Sequence, residues 1–269
     1  MTKQAIQPPA VAGLFYSRIP DQLTLEVEEF IAAGNSPDRA GVDGCPKAII
    51  APHAGYIYSG VVAGSAYATL SDYATQIERV VLLGPPHRFP VRSIATSNAT
   101  AFETPLGRVP VDQAEVERLL AVHPVLSRVD AAFFGEHCIE VQLPYLQALL
   151  DHFTLIPLLV GSADADQVAD LLAPYWNQDG TLIVVSSDLS HYLDYANAQA
   201  LDRRTSEAIV TLHPERIAPE QACGCNAIAG LLRLAKRHGA RGRLLDLRNS
   251  GDTAGPRDRV VGYGAYAFL

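Results

Sequence analysis

Ala48-Ile49-Ile50-Ala51-Pro52-His53 sets four apolar residues in a row before a proline and a histidine. The plan recurs in Val80-Val81-Leu82-Leu83-Gly84-Pro85-Pro86-His87, and again in Leu182-Ile183-Val184-Val185-Ser186-Ser187-Asp188-Leu189-Ser190-His191. A strand with one wet face alternates apolar and polar residues, whereas a strand covered on both faces is apolar at successive positions. The three runs therefore predict strands of a parallel sheet lying between helices. Thr154–Val160 (TLIPLLV), residues 244–247 (LLDL) and Val260–Phe268 supply further strand candidates.

Helical spacing fills the intervals. Leu23, Val27, Phe30 and Ile31 share one helix face, as do Val168, Leu171 and Leu172. Leu201, Thr205, Ala208, Ile209 and Leu212 predict a long helix, and Ala227, Ile228, Leu231, Leu232 and Ala235 the last one. Asp112, with Glu115 three residues on, reads as a helix start ahead of Val116, Leu119 and Leu120. Strands alternating with helices imply an α/β sandwich, a single domain over 1–269 with a largely parallel or mixed central sheet flanked by helices. Thr104-Pro105-Leu106-Gly107 looks like a turn between extended runs, so antiparallel pairing is expected within 102–110. The polar stretch 34–46 reads as a surface loop, and no repeat or linker is visible.

Composition narrows the function classes. Of 269 residues, 48% are apolar and 19% charged, which suits a folded core rather than a disordered chain. Lys plus Arg number 21 against 29 Asp plus Glu, a net charge of −8. A chain this acidic, without a basic run, lacks the footprint for nucleic acid or an anionic membrane. No apolar stretch approaches the roughly 18 residues of a membrane span, and the N-terminal residues carry no signal region. Four cysteines make no disulfide framework, so the reducing cytoplasm is the expected location.

Loops that leave the carboxyl ends of parallel strands share one edge of the sheet, where ligand sites of α/β folds form. His53, His87 and His191 each occupy such a loop. One histidine after a strand is most often a surface or satisfied core residue; three in the same setting point to a metal centre. Anionic donors are at hand. Asp188 precedes His191 in the same loop, and Glu136-His137-Cys138-Ile139-Glu140 packs two carboxylates and a fourth histidine together. Cys223-Gly224-Cys225 precedes the last helix, whose N-terminus would favour a thiolate. Cys138 and Cys225 read as small buried hydrophobes; Cys223 reads equally well as ligand or as structural residue. The G-x-S-x-G elbow, the phosphate-binding G-x-x-x-x-G-K-[ST] loop and the H-E-x-x-H helix are all absent.

Read together, Ile50-Ala51-Pro52-His53-Ala54-Gly55-Tyr56-Ile57-Tyr58-Ser59-Gly60, Leu83-Gly84-Pro85-Pro86-His87, Glu136-His137-Cys138-Ile139-Glu140-Val141-Gln142-Leu143-Pro144 and Ser186-Ser187-Asp188-Leu189-Ser190-His191-Tyr192 resemble the Memo family. So do Pro9-Ala10-Val11-Ala12-Gly13-Leu14-Phe15-Tyr16, Thr104-Pro105-Leu106-Gly107 and Ala222-Cys223-Gly224, in order over nearly the whole chain. Pro86 stands where the family more often has serine, and Ser17 where it often has proline. The bacterial and archaeal branch, AmmeMemoRadiSam system protein B, implies AMMECR-type and radical SAM proteins as partners. The resemblance also implies a fold like that of the class III extradiol (LigB-like) dioxygenases. By that likeness His53 and His87 would be metal ligands, and Cys223 would replace the glutamate ligand of those enzymes. His191 would be the acid/base with Asp188 orienting it, and Tyr56 and Tyr192 would line the substrate pocket.

Iron or copper is the expected ion, with zinc next. A carboxylate suits Fe(II), whereas a thiolate is softer, favours copper(I) or zinc, and is itself open to oxidation. Two function classes follow: a metal-dependent oxidoreductase acting on a small molecule, or a non-catalytic protein that holds metal, or a partner peptide, in the same cleft. A zinc hydrolase uses the same residues and rests on fold analogy alone.

Overall fold

The computed structural model describes residues 5–34 and 44–269. In chain order its strands are β1 (Ile6–Gln7), β2 (Ala48–Ala51), β3 (Arg79–Gly84), β4 (Ile94–Thr96), β5 (Ala101–Thr104), β6 (Gly107–Pro110), β7 (Leu126–Arg128), β8 (Thr154–Val160), β9 (Thr181–Ser186), β10 (His191–Leu193), β11 (Gly242–Asn249) and β12 (Val260–Phe268). The helices are α1 (Pro20–Gly34), α2 (Tyr56–Tyr67), α3 (Gln113–Val122), α4 (Asp130–Phe133), α5 (Leu143–Leu149), α6 (Ala165–Trp176), α7 (Tyr195–Val210) and α8 (Cys225–Arg237).

Every residue of β2 is buried, and so is all of β3, β8 and β9 beyond the first position. The unbroken apolar runs thus mark strands covered on both faces, as expected. β2, β9, β3 and β8 lie side by side in parallel. The main sheet has the order β10-β12-β2-β9-β3-β8-β4-β7, with β11 also paired to β12. β12 runs antiparallel to β2, and β4 antiparallel to β8, so the sheet is mixed. The predicted antiparallel pair is β5 with β6, joined through Thr104 opposite Gly107 in a separate small sheet with β1. Gly107 takes φ +119°, which the tight turn needs and glycine permits.

α1, α2 and α5 pack together as one group of helices, α6 against α8 as another, and α7 against β11 and β12. Helix α2 carries no readable periodicity because nine of its residues are buried, on nearly every side. Gly60 and Gly64 let it lie directly on α1: a Cβ at 60 would strike the Phe30 ring, and one at 64 the Phe30 carbonyl. At the end of α7, Leu212 lies beyond the helix at φ +56° rather than on its face. Most of the polar loop read at 34–46, residues 35–43, lies outside the described residues. Among the described residues no helix is long and apolar enough to cross a membrane.

Candidate metal centre

Strand order brings the three histidine loops together. His53 follows β2, His191 follows β9 and His87 follows β3, and β9 lies between β2 and β3. Neighbouring strands are about 4.8 Å apart, so loops leaving adjacent ends meet over a short span. The His53 and His87 rings stand 5.1 Å apart, and His53 Nε2 lies 3.4 Å from Cys223 Sγ. His53, His87 and Cys223 offer ligand atoms within 4.8 Å of one another and could hold a metal ion. His191 lines the same cavity without belonging to that triad.

The hydrogen bonds determine which imidazole nitrogen is free. Ser186 Oγ donates to Cys138 O (2.6 Å) and accepts from Gln142 Nε2 (2.8 Å), so toward His53 Nδ1 (2.9 Å) it can only accept. His53 therefore carries its proton on Nδ1, and its Nε2 lone pair faces Cys223. His87 Nδ1 lies 2.9 Å from Glu136 Oε1, while the other Glu136 oxygen accepts the His87 amide at 2.6 Å. Glu136 also accepts the amides of His137 and Cys138. Burial alone would raise its carboxyl, but the His87 contacts and these amides outweigh that and hold it at about 2. An ionised carboxylate accepts only, so His87 donates to it from Nδ1, and Nε2 is the nitrogen not engaged by Glu136. Both rings are thus anchored at Nδ1, His53 by the Ser186 hydroxyl and His87 by a carboxylate, which leaves Nε2 for a ligand bond, and the donor set fits a metal.

Charge in this cluster is kept low. Burial, then the neighbouring His87, depresses His53 to about 3; burial, then His53 and His87, takes His137 to about 4. The thiol departs from expectation. α8 begins at Cys225, so Cys223 lies before it, and burial followed by the Asp188 charge pushes Cys223 up to about 12. It stays a thiol until a cation replaces its proton. Cys138 and Cys225 are buried, as read.

His137 joins the cluster, stacked 4.7 Å from His87 and edge-on 5.4 Å from His53. With His87 and Glu136 it forms a second group of ligating atoms. Glu136 is already occupied by four hydrogen bonds, which makes it a support for His87 more than a donor to a cation. Glu140 accepts the amides of Ala10 (2.6 Å) and Val11 (3.0 Å) and the Tyr16 hydroxyl. That clasp lays the loop over the site, with Phe15 edge-on to His137 at 5.0 Å.

The cavity has a volume of about 550 Å³ and is lined by His53, His87, His137, Asp188 and His191, with Phe15, Tyr58, Tyr192 and Tyr263 among its walls. Two expected contacts are not formed. Tyr56 is buried in the core, its hydroxyl donating to Val141 O at 2.8 Å, and it does not line the cavity. The first turn of α2 points it inward, and Tyr58 takes the place at the wall. Asp188 Oδ1 accepts the His53 amide at 2.7 Å, and no hydrogen bond joins it to His191 among the described residues. Asp188 instead binds Cys223: its amide donates to Sγ (3.3 Å) and its carbonyl accepts from Cys223 N (3.3 Å). Tyr192 does line the mouth, where Arg259 lies 5.1 Å over its ring. A larger cavity of about 740 Å³ opens at the opposite strand edge, beside Glu78 and Thr154. No metal-ligating group falls there among the described residues.

Comparison with known proteins agrees with this architecture. A family model described as Memo-like protein matches residues 7–267. A MEMO1 family protein of Archaeoglobus fulgidus is 35% identical over 271 residues, covering 97% of this chain and 98% of its own. One from Aquifex aeolicus is 34% identical over 275 residues, covering 98% of this chain and 99% of its own. Among solved structures, the uncharacterized protein JW3007 of Escherichia coli K12 superposes with a TM-score of 0.56 at 14% identity. That match covers 82% of this chain and 98% of the other, and it speaks for the fold alone.

Proposed function

The chain belongs to the Memo-like family, and from that premise we propose that it is a metal-dependent oxidoreductase holding one ion on His53, His87 and Cys223. The observation that carries the reading is the pair of imidazoles whose Nδ1 atoms are already anchored, by Ser186 and Glu136, beside a thiol 3.4 Å from the first ring. Bound there, iron or copper supplies Lewis-acid and one-electron chemistry. His191, at the cavity wall, takes or returns the substrate proton at its imidazole. The aromatic walls hold an apolar or aromatic small molecule and keep water from the reacting face.

The test begins with elemental analysis of protein purified without added metal, repeated on His53→Ala and Cys223→Ser. About one ion per chain in the parent and loss in both variants is the expected result; equal content in all three ends the proposal. Loaded protein is then offered a catechol panel under O₂. A filled site with no turnover removes ring cleavage.

The thiol itself favours a second reading, non-catalytic holding of copper or zinc in the same cleft, because a sulfur donor is soft and open to oxidation. His191→Ala separates the two. Turnover lost with metal retained supports the enzyme; metal binding unchanged, with no turnover in the parent, supports the holder.

A further inference from the structure

Asp202, in α7, is a carboxylate that the metal site leaves unused. It is 2% exposed, and only burial and Ser190 act on it; no lysine or arginine pairs with it among the described residues. A buried carboxylate without a cation is destabilising, and an apolar side chain of similar volume fills such a space more favourably. What the carboxylate supplies is direction. Its Oδ1 accepts the Ser190 amide at 3.0 Å, one residue before His191.

β12 closes the other side of the same link. Gly262 O accepts from Leu189 N at 2.8 Å, and Gly262 N donates to Ser190 O at 2.8 Å. A Cβ at position 262 would collide with Asp202 Oδ2, so glycine is what lets the carboxylate reach across the strand to the loop. The first half of the loop is fixed separately, by Asp188 on His53 and Cys223. Immediately after His191, Tyr192 takes φ +60°, a conformation that aromatic residues adopt only when the surrounding structure imposes it. Opening the Asp202 clamp would give that strained link a way to relax and would let His191 move with it.

We propose that Asp202 is a positioning residue that holds His191 at the cavity wall through the Ser190 amide. The inference deepens the acid/base role given to His191 above and rests on it for its functional meaning.

The test reads the imidazole ¹H–¹⁵N cross-peaks of metal-free protein, with His191 assigned from His191→Gln. Asp202→Ala removes the acceptor and is expected to shift the His191 cross-peaks. Asp202→Asn keeps an oxygen for the Ser190 amide and is expected to restore them. Ser206→Ala, one turn along the same helix, is the packing control and leaves them in place. If the alanine variant does not fold, Asp202→Ser replaces it, since its hydroxyl falls a bond short of the amide. Unmoved His191 signals in a folded alanine or serine variant overturn the proposal. So does an asparagine variant shifted as far as the alanine one, which would make the effect one of charge and not of position. A Co²⁺ titration runs alongside. Parent protein that fails to bind cobalt counts against the metal reading, while the cross-peaks still decide the role of Asp202.

Discussion

Replacing Asp202 with asparagine should change how stability depends on pH, in a direction opposite to that of most carboxylates. Burial raises Asp202 from 3.8 to about 6. The folded chain therefore holds this proton more tightly than the unfolded chain does. The stabilisation from the protonated form is complete below about pH 3.8, declines as pH rises, and is gone above about pH 6. At about 1.4 kcal/mol per pH unit, the gap corresponds to about 3 kcal/mol. Asparagine is neutral throughout and still offers Oδ1 to the Ser190 amide, so its own contribution is flat. Other carboxylates titrate in the same range, and comparing the two proteins cancels them. Urea unfolding of both, from about pH 3 to about pH 8, should show the variant gaining about 3 kcal/mol on the parent across the series. A difference that stays constant over that range would refute the argument, because Asp202 would not then be titrating where its burial puts it.

Three further outcomes follow from single contacts. Glu136→Gln removes the charged acceptor behind His87 and should weaken metal binding about 10- to 100-fold in a chelator competition; unchanged affinity would deny Glu136 its supporting role. Gly64→Ala drives a methyl into the Phe30 carbonyl and should destabilise the fold by about 1–3 kcal/mol in thermal melts; an unshifted melt would mean that α1 yields freely. Tyr56→Phe deletes the hydrogen bond to Val141 O and should lower stability by about 1 kcal/mol with metal affinity unchanged; a loss of affinity would return Tyr56 to the cavity.

Much of the fold was legible before any coordinates. The runs 48–51, 80–83, 154–160 and 182–185 became β2, β3, β8 and β9, because burial on both faces leaves an unbroken apolar signature. Helices α1, α3, α6, α7 and α8 carried their periods openly, whereas α2 hid behind burial on nearly every side. Of the site, His53 and His87 could be named from residue type and loop position, Cys223 only through the family resemblance, and the structure groups the ligand atoms of all three. Tyr56 could not be placed correctly, because adjacency along the chain says nothing of where a hydroxyl points once a helix has begun.

Residue type and period along the chain determined the elements, their buried faces and the edge on which the histidines emerge, since those depend on neighbours a few positions away. Only tertiary structure decided that β9 enters between β2 and β3, that Ser186 and Glu136 fix the imidazole tautomers, and that Asp202 reaches the loop of His191 past Gly262. Those contacts join residues brought together by strand pairing and packing, and no local spacing encodes which distant atoms will meet.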